Sequence, residues 1–103
     1  MKKFKLVWSA RSECGPNRKK NEDTIYPSKS GSSTPPFKAA VCDGLGGHVS
    51  GDIASNIAAA TLLDDHNNLN ELIKNANNKI LKFQDDNPES HGMGTTMTAI
   101  TIN

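Results

Sequence analysis

A run that is apolar but for Lys38, Phe37 to Cys42, ends on a lone carboxylate at Asp43, and four of the next eight residues are glycine: Gly44, Gly46, Gly47 and Gly51. Glycine-rich turns that follow a strand commonly cradle phosphates at a helix N-terminus. Neither common phosphate motif fits. A dinucleotide fingerprint starting at Gly44 would need glycine where Val49 stands, and the G-K-[ST] of a Walker loop is absent. Asp43 would also set negative charge beside the phosphates. The carboxylate makes sense if the ligand is a hard divalent cation, which takes oxygen from carboxylates, main-chain carbonyls and water. Residues without Cβ then let the backbone turn tightly and bring a carbonyl toward that cation.

A second cluster lies upstream in GPNRKKNED, Gly15 to Asp23, where Arg18 precedes Glu22 and Asp23 by four and five positions. The planar fork of Arg18 suits a phosphate, and Glu22 and Asp23 suit the water shell of a cation. A solvated charged loop is the ordinary explanation for such a run.

The elements that must position these clusters follow from periodicity. Phe4, Leu6 and Trp8 alternate with polar neighbours and predict a first half-buried strand over Phe4 to Ser9. Thr24 to Tyr26 is a short strand after the charged loop, and Phe37 to Cys42 is a buried strand that delivers Asp43 to its end. Between them, residues 27–36, PSKSGSSTPP, are rich in Ser, Gly and Pro and are expected to form an exposed, mobile connection with no packing role. Ser50 is a candidate cap for a helix over roughly Gly51 to Asp65, with Ile53, Ile57 and Ala60 on one face. Asn68 with Glu71 resembles a capping box for a second helix ending near Gln84, and the β-branched stretch Thr95 to Ile102 is a last strand. No βαβ unit repeats, so the expected class is α+β.

Composition bounds the rest. A chain of 103 residues holds one domain at most, and 35% hydrophobic with 5% aromatic content is lean for a self-sufficient core. A formal charge of +1 is no footprint for nucleic acid or an anionic membrane, and no apolar run is long enough to span a bilayer or act as a signal peptide. A cytoplasmic location is expected. Cys14 and Cys42 have neither zinc nor redox spacing, and Cys42 reads as a small buried hydrophobe.

Taken in order, GPNRKKNED, DGLGGHVSGDIAS and MGTT resemble the three leading motifs of the PPM family of metal-dependent serine/threonine phosphatases, protein phosphatase type 2C, in its bacterial form. The resemblance covers essentially the whole chain apart from residues 27–36, with Asp52 standing where the family more often has glutamate. It implies the first part of a four-layer α-β-β-α sandwich. It also implies that Asp43 bridges two Mn2+ or Mg2+ ions, that Gly44 offers its main-chain carbonyl to one of them, and that Glu22 and Asp23 hold metal-bound water. Arg18 would bind the substrate phosphate, attacked directly by a hydroxide held between the metals. The implied partner is a phosphorylated protein, opposed by a serine/threonine kinase. His48, Thr95 and Thr96 read as packing or supporting residues rather than ligands. The family's later aspartate motifs are absent, so the chain is expected to be an incomplete domain that carries part of the site, open to self-association. The alternative is a non-catalytic remnant that binds phosphoproteins.

Overall fold

The computed structural model describes residues 4–45, 50–64 and 68–103. Among the described residues, five strands and two α-helices follow one another as β1 (Leu6–Trp8), β2 (Asp23–Tyr26), β3 (Gly31–Ser33), β4 (Phe37–Asp43), α1 (Gly51–Ala60), α2 (Leu69–Asp86) and β5 (Thr98–Ile102). Strand β4 lies between antiparallel β2 and β5, while β1 and β3 form a separate antiparallel pair. The α+β expectation holds.

Along β4 the side chains alternate between the two faces of the sheet. Ala40 and Cys42 are buried beneath the helices, whereas Val41 on the other face is 55% exposed. The helical side needs small residues to let a helix approach closely, and α1 supplies them: Ala54, Ser55, Ala58 and Ala59 are all buried. Helix α2 packs against α1 and contributes Leu72, Ala76 and Ile80, one residue per turn along a single stripe. Leu62 and Leu72 are the largest fully buried apolar side chains, each worth about 2–3 kcal/mol of transfer free energy.

Several boundaries differ from the expectation. The α-helical part of α1 stops at Ala60 and continues as a 3-10 turn over Thr61–Leu63, where the Thr61 hydroxyl donates back to the Ala58 carbonyl; Asp65 lies outside the described residues. Ser50 precedes α1 but makes no side-chain cap bond. Asn68 does cap α2, its side chain accepting from Asn70 N at 2.9 Å and Glu71 N at 3.4 Å. Helix α2 runs to Asp86 and ends where Asn87 folds back to donate to the Phe83 carbonyl from both its main-chain and side-chain nitrogens.

The largest correction concerns residues 27–36. This segment is not only a connection: Gly31–Ser33 is β3, paired with β1 in the register Leu6↔Ser33 and Trp8↔Gly31. The cause is Trp8. Its indole Nε1 donates to the Lys29 carbonyl at 2.9 Å, its ring stacks at 4.7 Å on Phe37, and a Cβ at Gly31 would meet the ring at 2.9 Å. A glycine was therefore needed where strand propensity argued against one.

Candidate metal and phosphate site

The pairing of β2 with β4 sets Asp23 opposite Asp43. One ladder position further on, Gly44 N donates to the Glu22 carbonyl at 3.1 Å, which makes Glu22 and Gly44 a hydrogen-bonded pair. Antiparallel ladders alternate, so Asp23 and Asp43 form the non-hydrogen-bonded pair, whose side chains approach most closely. Loss of water around it, together with the neighbouring Asp43 carboxyl, pushes the Asp23 carboxyl above its ordinary value, with Arg18 pulling the other way.

On the helical side of the sheet, Gly44 and Gly51 are packed against each other. A Cβ at Gly44 would collide with the Gly51 carbonyl and reach 2.6 Å from the Glu22 carbonyl; one at Gly51 would lie 2.6 Å from Glu22 Oε2. Only glycine fits at either position, and the Glu22 carboxylate rests against the first turn of α1, where the helix dipole favours negative charge. Lys20 Nζ is 3.4 Å from Asp52 Oδ1, which ties the charged loop to the same turn.

Arg18, Glu22, Asp23, Asp43 and Gly44 all line one cleft of about 200 Å³. The structure thus brings together all five residues that the sequence singled out, from two distant segments. Cys14, Lys20 and Asn21 line the same cleft and were not anticipated. Both cysteines are free; the exposed Cys14 thiol donates to the Arg18 carbonyl at 3.3 Å, and Cys42 is buried. His48, Gly46 and Gly47 lie outside the described residues. Among the described residues no three His, Cys, Asp or Glu side chains are grouped to hold a metal by themselves. Asp23 and Asp43 are a two-carboxylate donor set, of the oxygen chemistry that Mn2+ and Mg2+ prefer. They fit such an ion as part of its shell.

Fold and site together define a class: the chain is a portion of a PPM-type serine/threonine phosphatase catalytic domain. The serine/threonine protein phosphatase PstP of Mycobacterium tuberculosis is 36% identical to it over 104 aligned positions, covering 92% of this chain and 19% of PstP. The crystal structure of the PstP catalytic domain in complex with two manganese ions matches 99% of the chain at 27% identity with a TM-score of 0.68, and Stp1 of Staphylococcus aureus matches 98% at 25% identity with a TM-score of 0.66. The chain spans 43% and 42% of those two solved structures. No family model matches it. No described helix is long and apolar enough to cross a membrane.

Proposed function

We propose that the protein to which this chain belongs is a metal-dependent phosphatase acting on phosphoserine and phosphothreonine of a phosphorylated protein, in the cytoplasm and opposed to a serine/threonine kinase. The observation that carries this reading is the facing pair Asp23 and Asp43 in one cleft with Arg18. Asp43, the Gly44 carbonyl and Asp23 are the groups that would hold Mn2+ or Mg2+. When bound, a pair of such ions supplies Lewis-acid polarisation of the phosphoryl group and an activated water.

The chain's own residues do the rest. The Arg18 guanidinium offers a two-pronged donor to a phosphate dianion entering the cleft and orients it against the carboxylate pair. Glu22, held on the first turn of α1, is an acceptor for water in the cleft. Positive charge in the cleft would favour the ionised form of the Asp23 carboxyl, against the loss of water that pushes it above its ordinary value.

The test is Mn2+-dependent release of phosphate from a phosphothreonine peptide, with a chelator control. Asp43→Asn is expected to abolish turnover. Arg18→Ala is expected to raise KM about tenfold or more while Mn2+ uptake is unchanged, since one charge-assisted bidentate contact is worth about 1.5–3 kcal/mol. Turnover that survives both the chelator and Asp43→Asn would overturn the proposal.

A further inference from the structure

The carboxylate pair sits where both strands are about to stop: Asp23 is the first residue of β2 and Asp43 the last of β4. As a non-hydrogen-bonded pair, the two residues point their main-chain N–H groups away from each other, and neither N–H is held by its facing partner. Two side chains take over. Asn21 Oδ1 accepts from Asp23 N at 3.0 Å, and Thr96 Oγ1 accepts from Asp43 N at 3.2 Å.

The Thr96 substitution is specific. Counting along the β4–β5 register places Thr96 opposite Asp43, and Thr96 N donates to the Asp43 carbonyl at 2.9 Å as a ladder should. The return bond would run from Asp43 N to the Thr96 carbonyl, but that carbonyl accepts from the Thr95 hydroxyl at 2.7 Å. The Thr96 hydroxyl replaces it, with the Asp43 carbonyl also 3.5 Å away. The ladder resumes beyond, through the Gly44↔Thr95 bridge and the bond from Leu45 N to the Gly94 carbonyl at 2.9 Å. On the other strand, Asn21 is itself braced, its Nδ2 donating to Ser12 Oγ at 2.8 Å.

We propose that Asn21 and Thr96 are positioning residues that fix the separation of the Asp23 and Asp43 carboxylates for a divalent cation. The inference rests on the reading of that pair as a cation site. Mn2+ and Mg2+ bind oxygen at nearly fixed short distances, so two carboxylates on fraying strand ends bind worse than two held ones. Each side chain clamps the backbone from outside the pair without occupying a place in the cation's shell.

Titration of the chain with Mn2+, following the free-ion electron paramagnetic resonance signal, tests this. Wild type, Asp43→Asn, Thr96→Val, Thr96→Ser and Asn21→Ala are compared, with thermal unfolding recorded in chelator. Thr96→Val keeps the β-branched shape and loses the acceptor; Thr96→Ser keeps the acceptor. The expected result is Mn2+ affinity weakened about tenfold in Thr96→Val and in Asn21→Ala, in the range typical of supporting groups around metal ligands, and restored in Thr96→Ser. A purely structural role would lower the unfolding midpoint and leave the affinity of the folded protein unchanged. If Thr96→Val does not fold, Asn21→Ala on its loop decides. Wild-type affinity in both Asn21→Ala and Thr96→Val, with loss only in Asp43→Asn, overturns the positioning roles and leaves the cation site standing. Failure of wild type itself to bind Mn2+ overturns both.

Discussion

At the scale of single residues, the facing carboxylates of Asp23 and Asp43 set a small stability cost against the cation binding we propose. Two like charges on adjacent strands repel, at a cost of about 0.3–0.5 kcal/mol for an exposed pair. Asp23→Asn removes that repulsion and is expected to raise the midpoint of thermal unfolding in chelator by about 2 °C, while weakening cation binding. The pH dependence has a definite sign. A carboxyl raised in the folded state helps folding only while protonated, so its contribution is full below the ordinary value of 3.8 and is lost as pH rises through the raised value. The advantage of Asp23→Asn should accordingly be slight at about pH 4 and fully developed at about pH 7. Calorimetric unfolding at both pH values checks it, and an equal advantage at both would contradict it. Residue types alone pointed to Arg18, Glu22, Asp23 and Asp43, because carboxylate and guanidinium carry their chemistry openly, while Gly44 was picked out among the glycines by the family resemblance. Asn21 was not singled out and Thr96 was read only as a structural residue without its partner, since the two N–H groups they satisfy are defined only by the alternation of a ladder between segments twenty and fifty residues apart.

At the scale of elements, what sequence patterning shows well is what repeats. Helix α2 was readable from its stripe and its Asn68 cap, and β4 from a run, apolar but for Lys38, that ends in Asp43. Strand β3 was hidden, because Gly31, Ser32 and Ser33 have poor strand propensity and owe their conformation to the Trp8 indole lying across them. The 3-10 turn after Ala60 was hidden too, since the sequence continues in good helix formers. Stability should follow the buried stripe: Leu72→Ala is expected to cost about 2–5 kcal/mol and Asn68→Ala about 1 kcal/mol. Urea unfolding followed by circular dichroism measures both. A cost for Leu72→Ala no larger than that for Asn68→Ala would show that α2 is not seated on the core through this residue.

At the scale of the whole molecule, the chain is a slab of 51 × 33 × 14 Å, thin enough for one layer of helices on one sheet. Its lean composition follows from that shape, because only one face of the three-stranded sheet carries helices. The other face carries Ile25, Ala39, Val41 and Ile100 around a cavity of about 420 Å³ that Trp8 and Phe37 also line. By strand alternation, Asp23 and Asp43 belong to that same face, in line with Ile25 and Val41. The carboxylate pair therefore lies at the rim of the open apolar surface rather than among the helices, while Glu22, Gly44 and Gly51 anchor it from the helical side. The measurement that bears most directly on this account is a nuclear magnetic resonance titration of the chain with substoichiometric Mn2+, which broadens amide signals near the bound ion. Loss of the signals of Asn21 to Thr24, Cys42 to Leu45 and Gly94 to Thr96 before any others is the predicted result. Broadening that begins instead at the exposed acidic end of α2, at Asp85 and Asp86, would contradict it.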